Sequence, residues 1–465
     1  MKYFFYESED TKMKRPNILL ITTDQQRLDT IGTYGSKIAK TPYIDALAKD
    51  GSVFESTFNQ NPVCVPARAC IQTGRYTRQH GVTYMENVMD NTPGLPDHEH
   101  VFWDYLKGAG YDTAAFGKIH MYPERNFDKA NLTKGKGSRW TQAEGLPIGS
   151  APLGEQYKAW LEEKHPGGYE KIYQQRRDPE YKENRTAIEN VLPVDQYVDY
   201  WIAQNTVDYI EQRETDRPFF IWCGFCGPHG PFDPPKPYST MYSPDDMPLP
   251  LGYEKLSTAK RIQGDKLRRI SAYYYGLVTL IDHMVGTITD ALKNKEIYEN
   301  TVVIYTSDHG EMLGDFGRFG KANFYDTVTH MPLIVKPASG YPVNSRVKGL
   351  TEHIDIAPTI LDFAGLDIPD CMEGISLLKA MESGFSEKEA VLCEHTLNDQ
   401  SRHGVCIRNQ DYKMWYWTNP DEYALFDLGK DPDETCNLAE DPVYSDIMNC
   451  MKGLLINKFL TMKKR

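Results

Sequence analysis

The residues best suited to chemistry in this chain stand at the ends of apolar runs or inside one short motif. Cys64 opens the run Cys64-Val65-Pro66-Ala67-Arg68-Ala69-Cys70-Ile71-Gln72-Thr73-Gly74-Arg75. Asp24-Gln25 closes one apolar run and Asp308-His309 closes another. Two carboxylates, an amide and an imidazole are ligand types for a divalent ion, although a strand-end Asp also caps helices. Lys118 and His120 follow a third run. On an extended segment i and i+2 point the same way, and a Lys beside a His suits an anionic group next to a proton transfer. His229 lies in the rigid loop Gly227-Pro228-His229-Gly230-Pro231, which makes it an acid/base candidate. Lys321, after Gly320, is a candidate anion clamp. A lone cysteine is commonly a small buried hydrophobe, but the setting of Cys64 asks for more. A short helix is predicted over 67–72, with Pro66 at an early helix position and Thr73-Gly74 as its stop. Its first amides would face a reacting anion. Arg68, one turn on, would hold the Cys64-derived group or the anion's oxygens.

These residues need a scaffold that brings them to one edge. The runs 16–23, 111–116, 218–225 and 301–306 read as buried strands. Each ends close to one of the polar groups, and open α/β sheets place ligands at the carboxyl ends of their strands. Helices are predicted over 101–108, 195–213 and 266–293, the last with Ile270, Leu277, Leu280, Ile281, Met284 and Ile288 at helical spacing. Strands alternating with helices predict an α/β fold, a large mainly parallel (mixed) sheet sandwiched by helices. The polar span 122–194 lacks a clear period. It reads as an insertion over the sheet edge that lines the substrate entrance, or as a plain surface excursion. From about residue 387 the pattern changes to short strands (412–417, 423–426), an acidic loop and a terminal helix. The expected domains are therefore 1–386, a catalytic α/β domain, and 387–465, a smaller C-terminal α+β subdomain.

Bulk composition narrows the classes. The 465 residues carry a net charge of −13, which argues against a nucleic-acid partner. An anionic substrate would need a local positive cluster. No run approaches a membrane span, and the apolar stretch within Met1–Asp10 is too short for a signal-peptide core. A cytoplasmic location is the expectation, with no membrane partner. Nine cysteines without a tight framework fit reduced thiols. Cys223-x-x-Cys226 lacks the second pair that zinc requires, and in a regular strand the two would face opposite sides. His283 reads as structural and Tyr273-Tyr274-Tyr275 as helix packing. No phosphate-binding loop, dinucleotide fingerprint or serine-hydrolase elbow is present.

By chance C-x-P-x-R recurs in roughly a few per cent of chains this long, so the weight rests on the blocks together. In order they are P-N-I-L-L-I-T-T-D-Q, C-V-P-A-R-A-C-I-Q-T-G-R, G-Y-D-T-A-A-F-G-K-I-H, G-P-H-G-P, T-S-D-H-G-E-M-L-G-D, I-D-I-A-P-T-I-L-D-F-A-G, M-E-G-I-S-L-L and L-F-D-L-G-K-D-P-D-E-T-C-N-L-A. From Pro16 to about Pro442 the chain resembles the formylglycine-dependent sulfatases of the alkaline phosphatase superfamily. In that family C-x-P-x-R followed by T-G-R marks a cysteine for conversion to an aldehyde. The resemblance implies an alkaline-phosphatase-like fold and a formylglycine nucleophile at Cys64, made by a maturation enzyme. It implies a divalent metal on Asp24, Gln25, Asp308, His309 and the Cys64-derived group: calcium, with magnesium and manganese open. Arg68 and Lys118 would steady the aldehyde hydrate and the sulfate. His120 would be the base that releases sulfate, with His229 and Lys321 on the sulfate and the leaving group. One hydroxyl of the hydrate would attack sulfur, and loss of the second hydroxyl's proton would expel sulfate.

Gln25 departs from the family pattern, in which many members carry a second Asp. That leaves the site one positive charge higher, as in some bacterial sulfatases and in related phosphonate monoester and phosphodiester hydrolases, and would bear on metal choice or substrate preference. The leading expectation is a sulfuric ester hydrolase acting on a sulfated small molecule or saccharide. A phosphorus-ester hydrolase on the same scaffold is the rival, and a non-catalytic binding protein with an unmodified Cys64 is the remote alternative. The oligomeric state is left open, a homo-oligomer included.

Overall fold

The first apolar run becomes a strand covered on both faces. Every residue of β1 (Asn17–Asp24) is buried. Its Ile18 and Leu20 pack into one core layer, Leu19 and Ile21 into the other. Side chains alternate along a strand, so an unbroken apolar run is what a sheet sandwiched between helices requires. The computed structural model describes residues 15–84, 94–121, 125, 127–133, 135–136, 155–257, 261–397 and 401–463. Met1–Asp10 and part of the 122–194 span lie outside these described residues.

The large sheet also contains β2 (Ser52–Phe58), β3 (Asp112–Gly117), β4 (Lys129–Leu132), β5 (Phe219–Pro228), β6 (Thr301–Ser307), β7 (His330–Lys336) and β8 (Arg346–Glu352). Its order is β4-β3-β5-β1-β6-β7-β2-β8. Only β7 runs antiparallel to its neighbours β6 and β2, so the sheet is mixed and mainly parallel. One face packs against helices Pro42–Lys49, Val198–Glu211 and Gly264–Asn294. The other packs against Cys64–Thr73, Phe102–Gly108 and Ile356–Phe363. Among the described residues no helix is long and apolar enough to cross a membrane.

A second, antiparallel sheet is built from β9 (Val391–Thr396), β10 (His403–Arg408), β11 (Tyr412–Trp417) and β12 (Glu422–Asp427), in the order β12-β11-β10-β9. Helix Ser445–Thr461 packs on it. Buried charges fasten this sheet to the segment after Lys321. Asp326 pairs with Arg408 and, at 2.7 Å, with Lys413, which reaches Glu434 at 2.6 Å.

Three sequence expectations change. The motif helix begins at Cys64 rather than after it, with Val63 as N-cap. Within 122–194, β4 extends the sheet edge and helices Glu155–Lys164, Gly168–Arg177 and Pro179–Glu183 add Leu161, Tyr169 and Ile172 to the core. Helices of 10, 10 and 5 residues are too short to declare a period. Cys223 and Cys226 do not diverge but share one core layer, because the β1–β5 pairing slips between Gly224 and Pro228. Both are free thiols raised by burial.

Candidate active site

Cys64 is the first residue of a ten-residue helix. Val63, the N-cap, donates its N–H to the Asn61 side chain at 2.9 Å, and Pro66 has none. The amides of Cys64 and Val65 therefore form the open end of the helix, where anions are favoured. β1 delivers Asp24 and Gln25, and the turn after β6 delivers Asp308 and His309. A close approach of β3 and β5 delivers Lys118. A Cβ on Gly224 would stand 2.2 Å from the Lys118 carbonyl oxygen, and the Lys118 N–H donates to Gly224 at 2.6 Å.

These residues converge. The Cys64 Sγ lies 2.8 Å from Lys321 Nζ, 3.1 Å from His309 Nε2 and 3.8 Å from Asp24 Oδ1. Lys118 Nζ donates to Asp24 Oδ2. Arg68, completely buried, donates Nε–H to Asp308 Oδ2 at 2.8 Å and stands 3.7 Å from Asp24. It also donates to the Lys118 carbonyl. The local positive cluster demanded by a net charge of −13 is thus Arg68, Lys118 and Lys321.

Burial opposes ionisation of Asp24, yet Lys118, with His229, Lys321 and Arg68 beyond it, holds its carboxyl well below the usual range. Burial and the Asp24 charge raise the Cys64 thiol, but Lys321, Lys118 and His309 leave it net lowered. The structure thus brings Asp24, Cys64, Arg68, Lys118, Asp308, His309 and Lys321 together, and Gln25 joins them through Lys321 Nζ, 3.1 Å from its Oε1.

His120 and His229 stand farther out, both partly exposed. Lys118 and His120 are not neighbours by strand alternation as the sequence suggested: β3 ends at Gly117, and His120 takes a left-handed φ of 52°. Burial, then Lys118 and Arg68, keep His120 well below its ordinary value. A neutral imidazole is the form able to accept a proton. The ring of His229 faces the Gly230 carbonyl through Nδ1 at 2.6 Å, so that nitrogen carries the proton and Nε2 is left for other partners. Burial and Lys321 keep it neutral also. The 122–194 span holds its loop: Lys136 Nζ donates to the Pro231 carbonyl at 3.0 Å, and Arg176 and Asn190 reach Asp233, as does Tyr197 just beyond the span.

Sequence reasoning missed the residues behind this layer. Glu311 accepts the Gln25 side-chain N–H, and its other oxygen accepts the N–H of Leu313 at 3.0 Å and of Gly320. It orients the amide, pointing Oε1 at the cluster, and braces the turn before Lys321. Tyr274, read as helix packing, donates its hydroxyl to the Gln25 carbonyl at 2.6 Å and accepts the Arg27 N–H at 3.0 Å. His283 is structural as expected, hydrogen-bonded to Tyr238 at 2.8 Å. The only signal for Glu311 was its place three residues after Asp308 in T-S-D-H-G-E.

The donor set fits a divalent cation. One ligand atom from each of Asp24, Cys64, Asp308 and His309 lies within 4.8 Å of the others, and all four residues are buried. Calcium–oxygen distances of about 2.3–2.6 Å put opposite ligands roughly 5 Å apart. His309 Nδ1 faces the Gly310 carbonyl at 2.9 Å, which leaves Nε2 as a lone-pair donor. The Lys321 ammonium, in contact with Sγ, Nε2 and Oε1, shows these donors already converging on positive charge.

Comparison with known proteins gives the family. The model of the family described as Sulfatase matches residues 16–366, and that described as N-sulphoglucosamine sulphohydrolase, C-terminal, matches 314–460. An arylsulfatase of Clostridium perfringens is 31% identical, over 96% of this chain and 94% of its own. An N-acetylglucosamine-6-O-sulfatase of Bacteroides thetaiotaomicron is 24% identical, over 93% and 84%. The solved phosphonate monoester hydrolase of Agrobacterium radiobacter superposes with a TM-score of 0.77 at 26% identity, over 97% and 96%.

Proposed function

The chain belongs to the sulfatase family and is a sulfatase, and from that premise we propose that it works through a formylglycine made from Cys64 and a divalent cation held by Asp24, Gln25, Asp308, His309 and the group at position 64. The observation that carries this reading is the Cys64 Sγ buried between Asp24, His309 and Lys321 at the open end of its helix. With sulfur at position 64 the set is mixed, whereas with oxygen there it suits a hard cation such as calcium. When bound, the cation supplies Lewis acidity that lowers the pKa of an oxygen nucleophile and offsets charge on the ester oxygens.

The chain's own residues do the rest. Lys118 keeps Asp24 ionised and offers its positive charge to the sulfate. Arg68 locks Asp308 and the Lys118 backbone into one frame. Lys321 Nζ, 2.8 Å from the Cys64 Sγ, is placed to donate to the departing alkoxide. His229, kept neutral by burial and by Lys321, presents Nε2 beside it. His120, held neutral, takes the proton whose removal frees sulfate. The substrate is a sulfated small molecule or saccharide. We place the catalytic domain at 1–386, with 122–194 on the substrate side, and the C-terminal subdomain at 387–465.

Gln25 favours a second reading, a phosphonate monoester or phosphodiester hydrolase. Two measurements test the proposal. Mass spectrometry of the Cys64 peptide, after expression with a competent maturation system, should show the aldehyde, and an intact thiol sinks the proposal. The modified enzyme should cleave 4-nitrophenyl sulfate with a higher kcat/KM than the corresponding phenylphosphonate ester. The phosphonate winning by orders of magnitude would establish the second reading.

A further inference from the structure

β9 runs beside the segment that leads into Cys64. Glu394 donates its N–H to the Gln60 carbonyl at 2.9 Å, and the Asn61 side chain donates to the Glu394 carbonyl at 2.7 Å. The same Asn61 holds the N-cap of the Cys64 helix. Alternation along β9 sends Glu394 toward Arg78 at 2.6 Å and turns Cys393 and His395 to the opposite face. There Cys393 clusters with Phe324 and Trp417, and Phe324 is three residues beyond Lys321. His395 thus sits between the segments that deliver Cys64 and Lys321.

His395 is 1% exposed, and among the described residues neither ring nitrogen has a hydrogen-bond partner. Cys64 is 1% exposed as well, so burial to this degree is shared with the candidate nucleophile. The imidazole is flanked by Tyr84, ring centroids 6.0 Å apart, and by Trp417 at 5.8 Å and perpendicular. An unpaired buried polar group costs stability and calls for an explanation. Two such atoms on one ring, an N–H donor and a lone-pair acceptor, match a hydroxyl group or a vicinal pair of hydroxyls. Burial holds the ring pKa down at about 3, so it is neutral at ordinary pH and brings no charge to pair with a carboxylate or a second sulfate. The neighbouring rings suit the apolar faces of a sugar.

We propose that His395, with Tyr84 and Trp417, forms a subsite for a neutral, hydroxyl-bearing ring in the alcohol portion of the ester, one nitrogen donating to and the other accepting from its hydroxyls. This rests on Cys64 as the reaction centre. The test compares wild type, His395→Ala and His395→Asn, each with the aldehyde verified by mass spectrometry, on 4-nitrophenyl sulfate and on a panel of monosulfated hexoses and N-acetylhexosamines. His395→Ala should lower kcat/KM on the cleaved sugar sulfate about 10- to 100-fold more than on the aryl ester, chiefly through KM. His395→Asn, keeping a donor and an acceptor, should recover part of the loss. Equal losses on both esters, accompanied by a lower Tm, would make His395 a packing residue and overturn the subsite. So would a wild type that cleaves the aryl ester and no sugar sulfate in the panel. A modified wild type that cleaves neither ester refutes the Cys64 reading itself, and the subsite falls with it.

Discussion

Replacing Glu311 by Gln should weaken cation binding without touching a ligand. The carboxylate accepts three N–H groups: the Gln25 amide on one oxygen, and the Leu313 (3.0 Å) and Gly320 backbone on the other. A glutamine at 311 must aim its NH2 at one of these donors. If it faces Gln25, that amide is driven to turn and present its NH2, rather than Oε1, to the cluster. If it faces the backbone, the turn before Lys321 loses its brace. A hydrogen bond to a charged group contributes about 1.5–3 kcal/mol. At about 1.4 kcal/mol per decade, the loss corresponds to roughly 10- to 100-fold in affinity, the range typical of residues that orient metal ligands.

Calorimetric titration of the chelator-treated protein with calcium should show that weakening, and the calcium-dependent rise in Tm should shrink with it. The Gln25→Ala and Glu311→Gln effects should not add, since both remove the same oriented oxygen. An unchanged calcium Kd in Glu311→Gln would refute the orientation argument. Fully additive losses would show that Glu311 acts elsewhere.

Cys64→Ser should keep the fold and Tm but lose steady-state turnover of 4-nitrophenyl sulfate by about 10³-fold or more, since serine lacks the second hydroxyl needed for release. Gly224→Ala should destabilise the protein by about 1–3 kcal/mol in urea unfolding, because the new methyl would stand 2.2 Å from the Lys118 carbonyl oxygen; activity should fall with it. Asp282, pushed by burial up to about 7, accepts the N–H groups of Tyr43 and Ile44. Its folded-state pKa is raised, so its contribution to stability is full below the unfolded carboxylate value and is lost as pH rises through about 7. The loss is about 4 kcal/mol at most. Asp282→Asn should flatten the decline in urea-unfolding stability between pH 5 and 8, and an unchanged slope would count against it. Asp326→Ala leaves Arg408 without its carboxylate and Lys413 with Glu434 alone, and should cost about 3–5 kcal/mol in the same assay.

The sequence made the strands and the innermost group legible for different physical reasons. A sheet covered on both faces leaves unbroken apolar runs, and their carboxyl ends point to Asp24, Lys118, His229 and Asp308 without knowledge of the contacts. Cys64 needed the family resemblance, since sequence chemistry alone reads it as a buried thiol. What stayed hidden depends on contacts distant in sequence. Tyr274 reaches Gln25 from a helix whose tyrosines look like packing. The slip in β1–β5 pairing that puts Cys223 and Cys226 in one layer is a property of two strands together. His395 carries no motif, and only its missing partners single it out.

Glu311 also changes the meaning of Gln25. A neutral amide in place of a second carboxylate leaves the ligand layer one charge more positive. Yet the Glu311 carboxylate stands one hydrogen bond behind that amide and receives N–H donors on both oxygens; burial pushes its pKa up, against the Leu313 and Gly320 N–H groups and the charge of Lys321. A carboxylate at 311 places the second acidic group one hydrogen bond farther out, behind the amide but still inside the buried site. A sulfate monoester and a phosphonate monoester both arrive as monoanions, so an acidic group placed in this way treats them nearly alike in the ground state. Preference between sulfur and phosphorus must then arise where their transition states differ, in charge on the departing oxygen and on the oxygens held by Lys118 and Lys321. Lys321 stands where both Gln25 and the Glu311-braced turn can shift it. If Glu311→Gln alters the sulfate-to-phosphonate ratio of kcat/KM, it should therefore do so together with Lys321→Ala, and non-additively. Independent effects of the two substitutions would separate the amide from the preference altogether.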